Sequence, residues 1–231
     1  MLENIPLSIG LIPDGNRRWA RSHRFSIAQA YSRGVKKFID FSEWCLEKGV
    51  KNISVWAFST ENVYREKKEK DALFRIYSRV ARDREIIGRL HKNKAALKIV
   101  GDRSLIPKSL FERLKKVEAE TSKYKERRIF LLIGYGGRND IVHAAIRIAR
   151  QHIPFNRINE ETFKSFLSSK EIPDMDLVIR TSGELRLSGF LPWQCSYSEL
   201  YFSPKLWPDF DKRDLEDALL DYSSRTRRFG R

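Results

Sequence analysis

The chain has 231 residues, 41% of them hydrophobic, enough for one substantial core and in keeping with a single α/β domain over residues 1–231. Its 45 Lys+Arg against 30 Asp+Glu give a net charge of +15, which suits nucleic acid, anionic lipid surfaces or phosphorylated substrates without choosing among them. Cys45 and Cys195 stand alone, which speaks against a zinc site or a disulfide framework; no apolar run reaches the ~20 residues of a membrane span, and MLENIPLS lacks a signal-peptide layout, so a cytoplasmic location is expected.

An apolar run from Pro6 to Ile12 stops at Asp14-Gly15-Asn16-Arg17-Arg18 and passes into a helix-like pattern, so a strand delivers a polar cluster to a turn. Exposed amides there, close backbone approach at Gly15 and a charge-assisted hydrogen bond from Arg18, worth about 1.5–3 kcal/mol, favour an anion such as a phosphorylated ligand. Asp14 beside it suits a bridging Mg²⁺, because hard cations take carboxylate and phosphate oxygens together. Asp-Gly-Asn is also a common turn, and the cluster alone leaves both readings open.

Tyr31, Val35, Phe38, Ile39 and Cys45 recur at helical spacing between Gln29 and Lys48, and the pattern stops at Gly49, as an amphipathic helix with a glycine stop would. Ile53 to Phe58 reads as a buried strand ending in Ser59-Thr60-Glu61-Asn62. From Lys67, a helix is predicted whose one face carries Leu73, Ile76, Tyr77, Val80, Ile87 and Leu90. The strand Ala96 to Val100 meets Gly101-Asp102, and a helix follows from Pro107, with Lys115 to Arg128 expected to be solvated. Ile129 to Ile133 runs into a Gly-rich turn that opens a helix through His143 and Ile148. Asp176 to Ile179 leads into a loop with Arg180, Arg186 and Ser188, and Leu200 to Phe202 precedes a polar tail.

Strand, polar turn and helix thus alternate about five times, which predicts a parallel sheet covered by helices. Ligands of such sheets bind beyond the carboxyl ends of the strands, where all five polar clusters fall, and this lifts Asp14, Asn62 and Arg180 above ordinary turn residues. Two guanidinium forks and a hydroxyl, Arg180, Arg186 and Ser188, can grip a diphosphate; a solvated basic loop is the alternative. Asp14 and Glu199 are candidate Mg²⁺ ligands. The four histidines are scattered and read as non-catalytic, and the aromatic-rich stretch from Trp193 to Phe210 reads as packing rather than base stacking.

LIPDGNRRWA, AFSTEN followed by Arg65, Gly101-Asp102, GYGGRNDI and DLVIRTSGELRLSGFLPWQCSYSELYF together resemble the cis-prenyltransferases of the undecaprenyl diphosphate synthase type, over residues 11–210. The resemblance implies an α/β fold with a six-stranded, mostly parallel sheet, surrounding helices, an apolar tunnel and a homodimer or heterodimer. It also implies the chemistry: an allylic diphosphate of the farnesyl or geranylgeranyl type loses its diphosphate with Mg²⁺ assistance, and isopentenyl diphosphate attacks, leaving a Z double bond. Carried over, Asp14 holds Mg²⁺; Gly15, Asn16, Arg17 and Arg18 form the allylic-diphosphate loop; Ser59, Asn62 and Arg65 belong to the motif assigned proton removal and diphosphate contacts. Arg180, Arg186 and Ser188 match the isopentenyl diphosphate clamp, Glu199 the second acidic residue near the metal, and Arg228-Phe229-Gly230 a tail that crosses the dimer interface in some members.

Ile27 stands where the family pattern has an arginine, Ala30-Tyr31 for Gly-His, Val63 for Trp, Glu66 for Pro, and Gly134 for Asn, and the departures at Ile27, Tyr31 and Val63 cluster on the allylic side. They leave room for an irregular condensation with dimethylallyl diphosphate as acceptor, and a partner subunit of a heteromeric enzyme is a further reading. Phe38, Phe41 and Trp44 crowd the helix that forms a tunnel wall, so short or medium products are expected. Peripheral membrane association is compatible with the charge, whereas nucleic-acid binding rests on charge alone and is not expected.

Overall fold

The computed structural model describes residues 4–226. β1 (Ser8–Ile12) is buried at all five positions and β5 (Leu177–Arg180) at all four, the pattern of strands covered on both faces. With β2 (Asn52–Ser59), β3 (Ala95–Val100), β4 (Arg127–Tyr135) and β6 (Glu199–Phe202) they form one sheet in the order β3-β4-β2-β1-β5-β6, each neighbouring pair parallel. The helices are α1 (Asn16–Ser22), α2 (Ile27–Glu47), α3 (Lys67–Val80), α4 (Arg84–Lys92), α5 (Lys108–Thr121), α6 (Gly137–Arg150), α7 (Glu160–Phe166) and α8 (Lys212–Ser224). The six-stranded α/β fold expected from the resemblance is therefore present.

Local chemistry fixes the long helix of the site. Ser26 and Gln29 cap α2 reciprocally, Ser26 Oγ accepting from Gln29 N at 3.2 Å and Gln29 Oε1 from Ser26 N at 2.9 Å. Past its far end the chain turns at Gly49, φ +96°, a conformation that glycine reaches without a Cβ penalty. One face of α2 buries Phe41, which meets Trp207 and Phe210 edge-on at 5.8 and 6.0 Å, so the aromatic-rich stretch packs in the core as expected.

Three expectations change. The face predicted from Lys67 to Leu90 belongs to two helices: α3 ends at Val80, and Asp83 restarts the chain as α4 by accepting from the amides of Glu85 and Ile86. The polar tail contains α8, capped by Asp211 and Asp214, which buries Leu215, Ala218, Leu219 and Tyr222 in the main core beneath its charged outer face. The stretch from Lys115 is only partly solvated: Thr121 Oγ1 accepts from Leu97 N at 3.0 Å and a Glu118 carboxylate oxygen from Ile99 N at 3.1 Å. Those two amides lie on the edge strand β3, so α5 satisfies donors that would otherwise be free to pair with another chain.

Candidate active site

A cavity of about 610 Å³ runs from the carboxyl edge of the sheet down between the sheet and α2, α3 and α4, a size typical of ligand pockets. Its mouth is polar, lined by Asp14, Asn16, Arg17, Arg18, Arg65 and Arg186. Its interior is largely apolar, with Val35, Phe38, Ile39, Leu73, Leu97 and Leu131 among the walls.

The first polar turn is pinned on both sides. The Asp14 carbonyl accepts from Thr181 Oγ1 at 2.7 Å and from Trp207 N at 3.0 Å, and Gly15 sits at φ +105° where a Cβ would lie 2.9 Å from Leu206. Asp14 Oδ1 accepts from Gly15 N at 2.7 Å, and Oδ2 accepts from Arg180 Nη2 at 2.9 Å, with Arg18 3.8 Å away. Partial burial by itself would raise the Asp14 pKa; the Arg180 hydrogen bond, the Gly15 amide and the two guanidinium charges outweigh it and hold the carboxyl below the usual range. Its side chain is 35% exposed and stays ionised at neutral pH.

Arg180 lies under this turn, 4% exposed, its Nη1 donating to the Arg186 carbonyl and, at 2.9 Å, to Ser188 Oγ. The loop after β5 is bent hard: Ser182, Ser188 and Leu191 all have positive φ, a strain that concentrates at functional sites. Arg18 donates to Ser182 and pairs with Glu184 at 3.0 Å, while Arg186 donates to Glu184 at 2.6 Å. Glu184 was overlooked in the sequence, although it directly follows the Thr-Ser-Gly turn after β5 and lines the cavity.

The second motif has a structural explanation as well as a functional one. Ser59 Oγ accepts from Asn62 N and Asn62 Oδ1 from Ser59 N, both at 3.2 Å, closing the short 3₁₀ turn Thr60–Tyr64. Asn62 faces the cavity; Ser59 is buried and does not line it. Arg65 Nη1 donates to the Tyr31 hydroxyl at 2.8 Å and pairs with Glu69 at 3.2 Å, and Tyr31 donates to Glu69 at 2.5 Å. Burial, the largest influence, and the Glu69 carboxylate push the Tyr31 pKa up against the opposing charge of Arg65, so Tyr31 remains a neutral donor. The departure at Tyr31 thus stands at the mouth and orients Arg65.

Glu199 is a correction. It begins β6 opposite Leu177 and is level with Ile9, whereas Asp14 lies past Ile12 at the other edge, on the order of 10 Å or more along the strand direction. Its carboxylate is engaged by Arg225 at 2.7 Å, so Glu199 does not join Asp14 within this chain. Of the three rings expected on the tunnel wall, only Phe38 lines the cavity; Phe41 points into the core and Trp44 packs outside it under the Lys37 ammonium. The polar turns after β3 and β4 also separate from the mouth and line a smaller notch with Asp102, Asn139, Asp140 and His143. Arg228-Phe229-Gly230 lies outside the described residues.

Among the described residues, no three His, Cys, Asp or Glu side chains gather to hold a metal. Mg²⁺ does not require such a cage: it is commonly held by one or two carboxylates plus substrate phosphates and water. The part-exposed, ionised Asp14 beside the Arg18 and Arg180 guanidiniums fits that donor set.

The family model described as "Putative undecaprenyl diphosphate synthase" matches residues 12–230. The chain belongs to this family. It is a prenyltransferase, which transfers alkyl groups larger than methyl, and the cis-prenyltransferase resemblance read from the motifs holds over nearly the whole length. A family member from Picrophilus torridus, named tritrans,polycis-undecaprenyl-diphosphate synthase (geranylgeranyl-diphosphate specific), is 43% identical over 230 residues, covering 98% of this chain and 90% of the relative. Dehydrodolichyl diphosphate synthase 1 of Arabidopsis thaliana is 39% identical over 235 residues, 99% of this chain and 77% of the relative. Among solved structures, lavandulyl diphosphate synthase from Lavandula x intermedia in complex with dimethylallyl diphosphate superposes with a TM-score of 0.93 at 35% identity, over 98% of this chain and 99% of that one.

Proposed function

We propose that this cis-prenyltransferase condenses isopentenyl diphosphate with an allylic prenyl diphosphate of the farnesyl or geranylgeranyl type, in a Mg²⁺-dependent reaction that yields a Z-prenyl diphosphate. The observation that carries the reading is the union of a guanidinium-lined mouth with an apolar cavity beneath it: the first suits diphosphates and the second a hydrocarbon tail. The donor specificity named for the Picrophilus relative favours geranylgeranyl diphosphate over farnesyl diphosphate.

In this reading the allylic C–O bond breaks, the diphosphate departs with its electron pair, and the isopentenyl double bond attacks the freed carbon before a proton is lost. Arg17, Arg18 and Arg65 hold the allylic diphosphate over the mouth, and the Tyr31–Glu69 pair fixes Arg65 so that less side-chain freedom is lost on binding. Arg186 and Ser188 hold the acceptor, with Arg180 joining their loop to Asp14. Asp14 together with substrate diphosphate would hold Mg²⁺, which would supply charge neutralisation on the departing group. Asn16 Oδ1 in the first polar turn and Arg180 Nε beneath it are buried with no hydrogen-bond partner among the described residues, a cost of about 1–3 kcal/mol each. Retention of Asp14 and of the arginine clamp favours a catalytic chain over a silent partner subunit; a homodimer is proposed on the family resemblance and is checked by light scattering.

A second reading, irregular condensation with dimethylallyl diphosphate as acceptor, is favoured by the likeness to lavandulyl diphosphate synthase together with the altered allylic side at Ile27, Tyr31 and Val63. Mass spectrometry of products from a matrix of allylic donors, each with isopentenyl or dimethylallyl diphosphate, separates the two. Product from isopentenyl diphosphate alone supports the first reading, branched product from dimethylallyl diphosphate supports the second, and no product with any pair overturns both.

A further inference from the structure

The GYGG segment at the end of β4 does not line the cavity, yet the residues packed against it lead into the site. Tyr135, the last residue of β4, pairs with Ser59 of β2, and its carbonyl accepts from Trp56 Nε1 at 3.1 Å, so the chain leaves the sheet directly beside the second motif. Gly136 and Gly137 come next, and the backbone demands neither: Gly136 is extended at φ −142°, ψ 125°, Gly137 opens α6, and neither has a positive φ. What excludes a side chain there is space. A Cβ on Gly136 would lie 2.2 Å from Thr60 Oγ1, and 3.1 and 3.2 Å from Thr60 Cγ2 and Cβ. One on Gly137 would lie 2.1 Å from Pro192 Cδ and 2.4 Å from the Gly189 carbonyl oxygen, which accepts from Gly137 N at 3.0 Å. Carbon atoms pack at about 3.5–4.0 Å, so neither methyl fits without a displacement.

The two contacts belong to different halves of the site. Thr60 begins the 3₁₀ turn that brings Asn62 to the cavity and runs into Arg65. Gly189 follows Ser188, whose hydroxyl accepts from Arg180 Nη1, and Pro192 stands in the same loop. We propose that Gly136 and Gly137 are a paired spacer that holds the allylic and the acceptor diphosphate sites at their working separation. The two glycines act as positioning residues: they seat both loops by close backbone contact and meet neither substrate. The inference rests on the prenyl-transfer reading, in which Arg65 serves the allylic diphosphate and Arg186 and Ser188 the acceptor. Condensation needs the reacting carbons held about 3–3.5 Å apart, and a misplacement on the order of 1 Å can lower the rate about a hundredfold, so the approach of the two loops to this turn matters to the reaction. Against Gly137 stand a backbone carbonyl and a proline ring, neither of which can rotate away, whereas against Gly136 stands a threonine side chain. The two contacts can therefore be altered separately.

The test is steady-state kinetics on Gly136→Ala, Gly137→Ala and the double variant Gly136→Ala with Thr60→Ala, varying in turn the donor and the acceptor that the unaltered protein uses. Gly137→Ala is expected to raise the acceptor KM about tenfold or more and to leave the allylic KM within about twofold of the parent. Gly136→Ala is expected to do the reverse, and Thr60→Ala, which removes the obstructing oxygen and methyl, to bring the allylic KM of the double variant back toward the parent. A merely structural role for the glycines would lower the melting temperature or the active fraction and leave both KM values unmoved. Should Gly137→Ala fail to fold, the Gly136 pair, whose obstacle is a movable side chain, carries the comparison: an allylic KM that rises and is restored supports the spacer, and one that stays put or is not restored overturns it. Both glycine variants raising the same KM, or a split in the opposite sense, also overturns it. An unaltered protein that makes no product with any donor and acceptor overturns the prenyl-transfer reading instead, so the two failures are distinguishable.

Discussion

At the scale of single residues, the site depends on the pair Asp14–Arg180, in which a nearly buried guanidinium holds a half-buried carboxylate in its ionised form. Asp14→Ala would leave that guanidinium without its carboxylate, so Asp14→Asn is the cleaner probe. The asparagine variant should lose at least about a hundredfold in turnover while its melting temperature stays within a few degrees, because the charge serves the departing diphosphate rather than packing; activity within tenfold of the parent would remove the metal role. Arg186→Ala should raise the isopentenyl diphosphate KM about thirtyfold, the loss of ~2 kcal/mol of charge-assisted contact, and a rise in the allylic KM instead would reverse the two diphosphate sites. Arg180→Gln carries a pH signature. A carboxylate held below its usual pKa of 3.8 contributes stability that is present above that value and lost as pH falls through its lowered folded-state pKa. Removing the Arg180 hydrogen bond and charge moves that loss upward, so the acid limb of kcat/KM should shift to higher pH; an unmoved limb would show that Arg180 does not tune Asp14. The motifs made Asp14, Arg18, Arg65 and the Arg180–Ser188 loop legible in the sequence. Glu199 was misplaced because an acidic residue next to a strand gives no sign of which edge of the sheet it occupies, and the answer came from register.

Among the elements, legibility followed burial. Strands buried on both faces, such as β1 and β5, are continuous apolar runs, and α2 has an unbroken face between a cap and a glycine, so all three were readable. The break between α3 and α4 was hidden because both helices turn their apolar sides to one cavity, which preserves the periodicity across Ala81–Asp83. Charge masked α8: Lys212, Arg213, Asp214, Glu216 and Asp217 surround the few positions that pack inward. Two of those, Leu215 and Leu219, are fully buried in the main core beside Phe210 and Tyr222. Leu219→Ala should therefore cost about 2–5 kcal/mol in urea unfolding, whereas Leu220→Ala, at a position 56% exposed, should stay within ~0.5 kcal/mol. Equal small effects at both would show that α8 does not hold the core.

Across the whole molecule, the five polar turns share one edge, as expected, but only three of them meet at the mouth. The strand order explains the difference. β1 has β2 and β5 as neighbours, so the turns carrying Asp14, Asn62 and Arg180 converge, whereas β3 and β4 lie to the far side of β2 and open on the separate notch. The mouth thus sits at the centre of the sheet, and the cavity beneath it runs toward the opposite edge, to Ala95 at the start of β3. A ligand that uses the molecule fully must therefore have an anionic head and a long apolar tail, and the two parts can be separated by experiment. A ligand that binds only the folded state stabilises it by about 2.7 kcal/mol at a hundredfold excess over Kd, and for a chain of this size each kcal/mol is worth ~2–4 °C. A non-reactive thio analogue of geranylgeranyl diphosphate at that excess should accordingly raise the melting temperature by on the order of 5–10 °C with Mg²⁺ present. Inorganic diphosphate at the same concentration should give a much smaller shift, since it engages the arginines and leaves the cavity unfilled. Geranylgeraniol, which has the tail without the head, should also fall short. Equal shifts from inorganic diphosphate and the thio analogue would mean that the cavity contributes no binding, and the assignment of the tail to it would fail.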